Sequence, residues 1–117
     1  MTTIVNARDN VGVIIPKAFA QPDEFAAAIA EVERQLHPNV VYIRHSLGND
    51  WTGEPAVFFR VLLSDAASKR EQLLNVTKQI RDAIVWQVEP LEQWGVLPYF
   101  NYRSQSEQAV MKEEAWA

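Results

Sequence analysis

Apolar residues recur along this chain with two periods, and the switches between them divide it into elements. Val57, Phe59, Val61 and Leu63 alternate with Phe58, Arg60 and Leu62. A period of two marks a strand, and apolar residues on both faces mark a strand inside a sheet. The segment Ala56 to Leu63 is therefore the strongest strand signal in the chain. Asn39 to Ser46 reads as a second strand. Between the two lies a loop, Leu47 to Pro55, rich in turn formers (Gly48, Asn49, Asp50, Gly53 and Pro55). The short connection predicts an antiparallel hairpin.

The period lengthens on both sides of this hairpin. Phe25, Ile29, Val32 and Leu36 fall at helical spacing after Gln21-Pro22-Asp23-Glu24, which reads as a helix start. Proline suits the first helical position, and acidic groups there face the positive end of the helix dipole. Pro38 disfavours helical geometry at His37 and predicts the stop. Leu73, Val76, Ile80, Ala83, Ile84 and Val88 predict a second helix, with Lys69, Lys78, Arg81 and Asp82 mostly off its apolar face. Ser64 or Asp65 is a candidate cap, and Ser68 to Glu71 offers a capping-box pattern. Leu97 to Arg103 predicts a last strand. Ser104-x-x-Glu107 is a further capping box, opening a short C-terminal helix toward Trp116.

Near the N-terminus, Val11 to Pro16 is β-branched and closed by proline, and is expected to be a strand. Residues 1–10 carry no periodic pattern and are expected to be a loose leader. The expected order is β-α-β-β-α-β plus a C-terminal helix, in one α+β domain over residues 1–117. Two helices on one face of a four-stranded antiparallel sheet is the ferredoxin-like arrangement. If the first strand is misread, a three-stranded α-β-β-α-β sheet remains.

Composition narrows the function classes. The 117 residues suffice for one core, and 48% hydrophobic with 22% charged residues is an ordinary globular balance. There is no cysteine, which excludes disulfides, thiolate metal sites and cysteine nucleophiles. The start of the chain does not read as a signal peptide, and no apolar run reaches the roughly 18 residues of a membrane span. The expected location is cytoplasmic, as in small bacterial-type domains. Eleven basic and 15 acidic side chains give a net charge of −4, not the footprint of a general nucleic-acid binder.

No catalytic, metal or cofactor site is expected. His45 and Ser46 are adjacent strand residues that point to opposite faces, so they form no dyad. His45, Asp50 and Glu54 flank one loop, with no metal-site spacing. The glycines are scattered, with no phosphate loop. The RNA-recognition pattern also fails: Phe58 and Phe59 are present, but the basic-glycine start is missing.

The outer sheet face carries more information. If Val57, Phe59, Val61 and Leu63 face the helices, then Phe58, Arg60 and Leu62 face away. Tyr42 and Arg44 join them from the second strand, and Tyr99, Asn101 and Arg103 from the last. Aromatic residues with arginines favour protein contact, although ordinary strand tyrosines and solvated arginines would give the same pattern. Trp51 sits in a loop, and four tryptophans exceed what one small core needs. The candidate interface is Tyr42, Trp51, Phe58, Leu62, Tyr99 and Trp116. The candidate ligand-binding set is Arg44, Arg60, Asn101, Arg103 and Glu107.

The reading these residues support is a non-enzymatic interaction or assembly module, dimerising or binding a partner protein through the outer face and the C-terminal segment. One alternative is a small-ligand or nucleotide-binding domain that uses the arginines as an anion site. A weaker one is single-stranded RNA binding on the same face.

Overall fold

Strand β2 (Pro55–Leu63) organises the structure, because both of its neighbours bind it directly. Strand β1 (Val40–Asn49) pairs with it antiparallel, and β3 (Leu97–Ser104) pairs with it parallel, in the order β1-β2-β3. The computed structural model describes residues 15–117. Helices α1 (Lys17–Ala20) and α2 (Pro22–Gln35) precede the hairpin. Helices α3 (Arg70–Gln87) and α4 (Pro90–Trp94) connect β2 to β3. After β3 come α5 (Gln105–Met111) and a 3-10 turn at Glu114–Trp116.

The α+β class holds, and among the described residues β2 is central with edges at β1 and β3. The ferredoxin-like order is not what the described residues form. That topology inserts its first strand between the last two, whereas β2 and β3 are direct neighbours here, paired parallel. The connection through α3 and α4 is long enough for the crossover that parallel strands need, and no strand is inserted between β2 and β3. The expected strand Val11–Pro16 lies outside the described residues, apart from Ile15 and Pro16, which are not in a strand. The described sheet is thus the three-stranded α-β-β-α-β form.

The core sits between the sheet and the two long helices. Val57, Phe59, Val61 and Leu63 on β2 meet Phe25, Ile29 and Val32 of α2 and Val76, Ile80 and Ile84 of α3. The period-two and helical patterns converge on this one cluster. Trp94 of α4 closes one end, its ring 5.1 Å from that of Phe25. At Val41 a β-bulge shifts the register, which keeps Val40 opposite Leu63 in the core while Tyr42 turns to the other face opposite Leu62. Helix α3 starts later than either candidate cap, at Arg70 with Lys69 before it and no side-chain cap. The Ser64 hydroxyl instead accepts from the Ala67 amide, within the turn before the helix.

His45 points into this layer, edge-on to Phe25 at 5.5 Å. Burial, and then the positive charge of Arg60, lower its pKa below the ordinary 6.5. Above pH 6.5 the imidazole is neutral in both the folded and the unfolded chain. Below it, the unfolded chain takes up a proton that the folded one resists, so acidification favours unfolding. Denaturant titrations between pH 7 and pH 5 should show stability falling with pH, and His45→Phe should flatten that fall.

Candidate functional site

The register of β2 sets its second face against the C-terminal segment rather than against solvent. Tyr42, Leu62 and Arg103 form one row across the sheet, Arg44, Arg60 and Asn101 the next, and Ser46, Phe58 and Tyr99 a third. The three arginines do share one face, and Arg44 stands directly opposite Arg60. Like charges in that position repel. Each guanidinium is met by an oxygen acceptor of the chain itself. Arg44 Nε donates to the Ala117 main-chain oxygen at 2.7 Å, and Arg60 Nε to that of Ala115 at 2.6 Å. Arg60 Nη1 also reaches the Ser46 hydroxyl. Arg103 pairs with Glu113, and its guanidinium lies 4.3 Å from the centre of the Trp116 ring. The Tyr42 hydroxyl donates to the Trp116 carbonyl.

The segment that brings these acceptors starts at a capping box the sequence foretold. The Ser104 hydroxyl accepts from the Glu107 amide, and the Glu107 carboxylate from the Ser104 amide. The Asp65 carboxylate accepts from both the amide and the hydroxyl of Ser106, tying α5 to the turn after β2. Lys112 adopts the left-handed conformation (φ 54°), and the chain then turns back over the sheet. Trp116 ends 7% exposed, and Leu62 is buried.

The other candidate residues divide. Tyr99 stacks on Phe58 at 5.5 Å and carries Trp51 on its far side at 5.6 Å. The hydroxyl of Tyr99 donates to Asp50, whose other oxygen accepts from the Thr52 hydroxyl and from the amides of Thr52 and Glu54. These bonds, that from Thr52 first and that from Tyr99 next, hold the Asp50 pKa down at about 2. Gly53 at φ 89° lets the chain close this loop. Trp51 is left 83% exposed on a braced base. Asn101 and Glu107 are exposed, and Glu107 is engaged in its capping box.

Comparison with protein-family models, curated proteins and solved structures returns no match. Among the described residues, no group of three or more His, Asp or Glu side chains could hold a metal ion, and no helix is long and apolar enough to cross a membrane.

A second surface escaped the sequence reading. Leu74, Thr77, Lys78 and Arg81 form one stripe of α3, spaced i, i+3, i+4, i+7, and border the outer side of β3. Between helix and strand lie two adjoining hollows. One, of about 410 Å³, is lined by this stripe and by Pro98, Tyr99, Phe100 and Tyr102. The other, of about 490 Å³, is lined by Ser68, Arg70, Leu73, Leu74, Thr77 and Tyr102. Leu74 is 80% exposed. The Tyr102 hydroxyl donates to the Thr77 carbonyl, and burial pushes its pKa up to about 12. On its outer side β3 pairs with no strand among the described residues. The opposite edge differs, because the Glu33 carboxylate accepts from the Ile43 amide at 2.6 Å and blunts β1. The available signal in the sequence was Leu74 itself, an apolar residue off the core stripe.

Proposed function

We propose that this domain is a non-enzymatic protein-interaction module whose docking surface is the outer edge of β3 together with the adjoining stripe of α3. The observation that carries the reading is Leu74, 80% exposed beside Leu73 and Tyr102, at the edge of a sheet. An exposed leucine in a hollow next to a strand edge that pairs with no strand among the described residues suits an extended segment of a partner, which would gain main-chain hydrogen bonds and bury its apolar side chains.

Charge narrows the partner. Arg70, Lys78 and Arg81 rim the hollows, and among the described residues no acidic side chain lines them, although Asp82 pairs with Lys78 from the side. A partner segment that mixes apolar and acidic residues complements this surface. A second copy complements it less well. Two-fold pairing along β3 would set the basic stripe of one α3 beside that of the other. The arginine cluster on the other face spends its donors on carbonyl oxygens and Glu113, which favours peptide chemistry there over a phosphate site.

The test is differential crosslinking. A photoreactive residue replaces Thr77 in the full chain, expressed in its own host with and without Leu74→Asp. The expected result is a protein captured by the first chain and lost from the second. Purified, it should rebind with an affinity that falls as salt rises. Identical products from both chains contradict the reading, and crosslinks solely between copies assign the surface to a homodimer instead.

A further inference from the structure

The C-terminal segment is held in an unusual way for a piece of core. Three successive main-chain oxygens, those of Ala115, Trp116 and Ala117, are each gripped by a side chain of β1 or β2. Those grips come from Arg60, Tyr42 and Arg44 and are indifferent to the side chains of the residues they hold. Sequence enters at two positions only. Glu113 pairs with Arg103, and the Trp116 indole lies under the same guanidinium. This is how a receptor face reads an extended peptide: backbone capture for affinity, with one anchor and one ion pair for choice.

The segment is also built to leave. From Gln105 to Ala117, Trp116 is the one buried residue, and α5 buries none. Val110 and Met111 stand 82% and 54% exposed. Neither Trp116 nor Leu62 belongs to the core cluster between sheet and helices. A stretch with few buried contacts opens at a cost well below global unfolding. Once it opens, Arg44 and Arg60 face each other in register without their main-chain acceptors, so the exposed face needs a replacement.

We infer that the outer face of the sheet is a peptide-binding site for an acidic segment with a tryptophan three residues after a glutamate, and that Glu113 to Ala117 is its resident intramolecular ligand. A partner bearing such a segment displaces the resident one and frees α5. This site is separate from the β3 edge and does not rest on the docking proposed there.

The test uses the full chain carrying Trp116→Ala, titrated into a fluorescein-labelled hexapeptide of sequence Lys-Glu-Glu-Ala-Trp-Ala and read by anisotropy. The expected result is saturable binding at least about tenfold tighter than to the unaltered chain, whose own segment keeps most of the sites filled. Binding should vanish when the peptide tryptophan becomes alanine, or when Arg103→Ala is added to the protein. No binding to folded Trp116→Ala, or equal binding to both chains, overturns the proposal. Should Trp116→Ala not fold, Glu113→Gln loosens the segment at its ion pair alone and enters the same titration with the same outcomes. Hydrogen exchange on the unaltered chain gives a second readout. Amides 106–117 should exchange through an opening that leaves those of β2 protected, and exchange of both regions only by global unfolding overturns the proposal.

Discussion

Phe59→Ala is expected to destabilise the domain by about 3–5 kcal/mol, seen as a lower urea midpoint at an unchanged m-value. Phe59 is fully buried on the central strand, its ring stacked 5.2 Å from that of Phe100. It touches the layer in which α2, α3 and all three strands meet, so the cavity left behind has little room to collapse. Domains of this size are stable by only about 5–15 kcal/mol, so a loss of this order removes a large share of the total. The neighbouring Phe58→Ala supplies the control. Phe58 is half-buried on the other face, stacked on Tyr99. Its loss should cost only about 1–2 kcal/mol. Two adjacent phenylalanines with such different effects would verify the register of β2 directly.

Leu74→Asp is expected to act on binding and leave folding alone. Leu74 is 80% exposed, so the substitution should shift stability by less than about 0.5 kcal/mol. At the proposed docking surface it places a carboxylate where a partner's apolar group would sit. It also partly neutralises a rim formed by Arg70, Lys78 and Arg81. Anchor residues of this kind cost about 2 kcal/mol or more, which is roughly a 30-fold weaker complex by titration calorimetry with the purified partner. Arg81→Glu should weaken the same complex and reduce its dependence on salt. An unchanged affinity in Leu74→Asp would remove the β3 edge from consideration.

Much of the fold was legible because burial writes itself as periodicity. The apolar faces of α2, α3 and β2 are each visible as a repeat, and all three meet in the core cluster. The capping box at Ser104 and Glu107 was legible because both partners are side chains at a fixed spacing. The neighbour of β3 was not. Alternation in Leu97 to Arg103 says that a strand exists, but the same residues would alternate whichever strand they paired with. Helices α1 and α4 were missed because four and five residues are too few to show a period.

The candidate site was half legible for a related reason. The sequence brought Tyr42, Arg44, Phe58, Arg60, Leu62, Tyr99 and Arg103 to one face, and the sheet register does the same. It did not reveal what meets them. The acceptors are main-chain oxygens of Ala115, Trp116 and Ala117, and a carbonyl leaves no mark in a sequence. Of the four tryptophans, Trp94 and Trp116 are buried while Trp51 and Trp86 are exposed. The excess of indoles over one core was therefore met in part by a second, smaller apolar contact on the outer face.

The central claim is that the chain closes its own outer sheet face and that, among the described residues, no strand covers the β3 edge. Two leucines separate these alternatives. Leu62 lies under the C-terminal segment, and Leu74 stands beside the hollow on α3. The decisive measurement is solvent paramagnetic broadening of the methyl and indole signals of the full chain in dilute solution. Strong broadening is expected of Leu74, Trp51 and Trp86, with Leu62, Trp94 and Trp116 spared. Broadened Leu62 and Trp116 signals beside a protected Leu74 would contradict it.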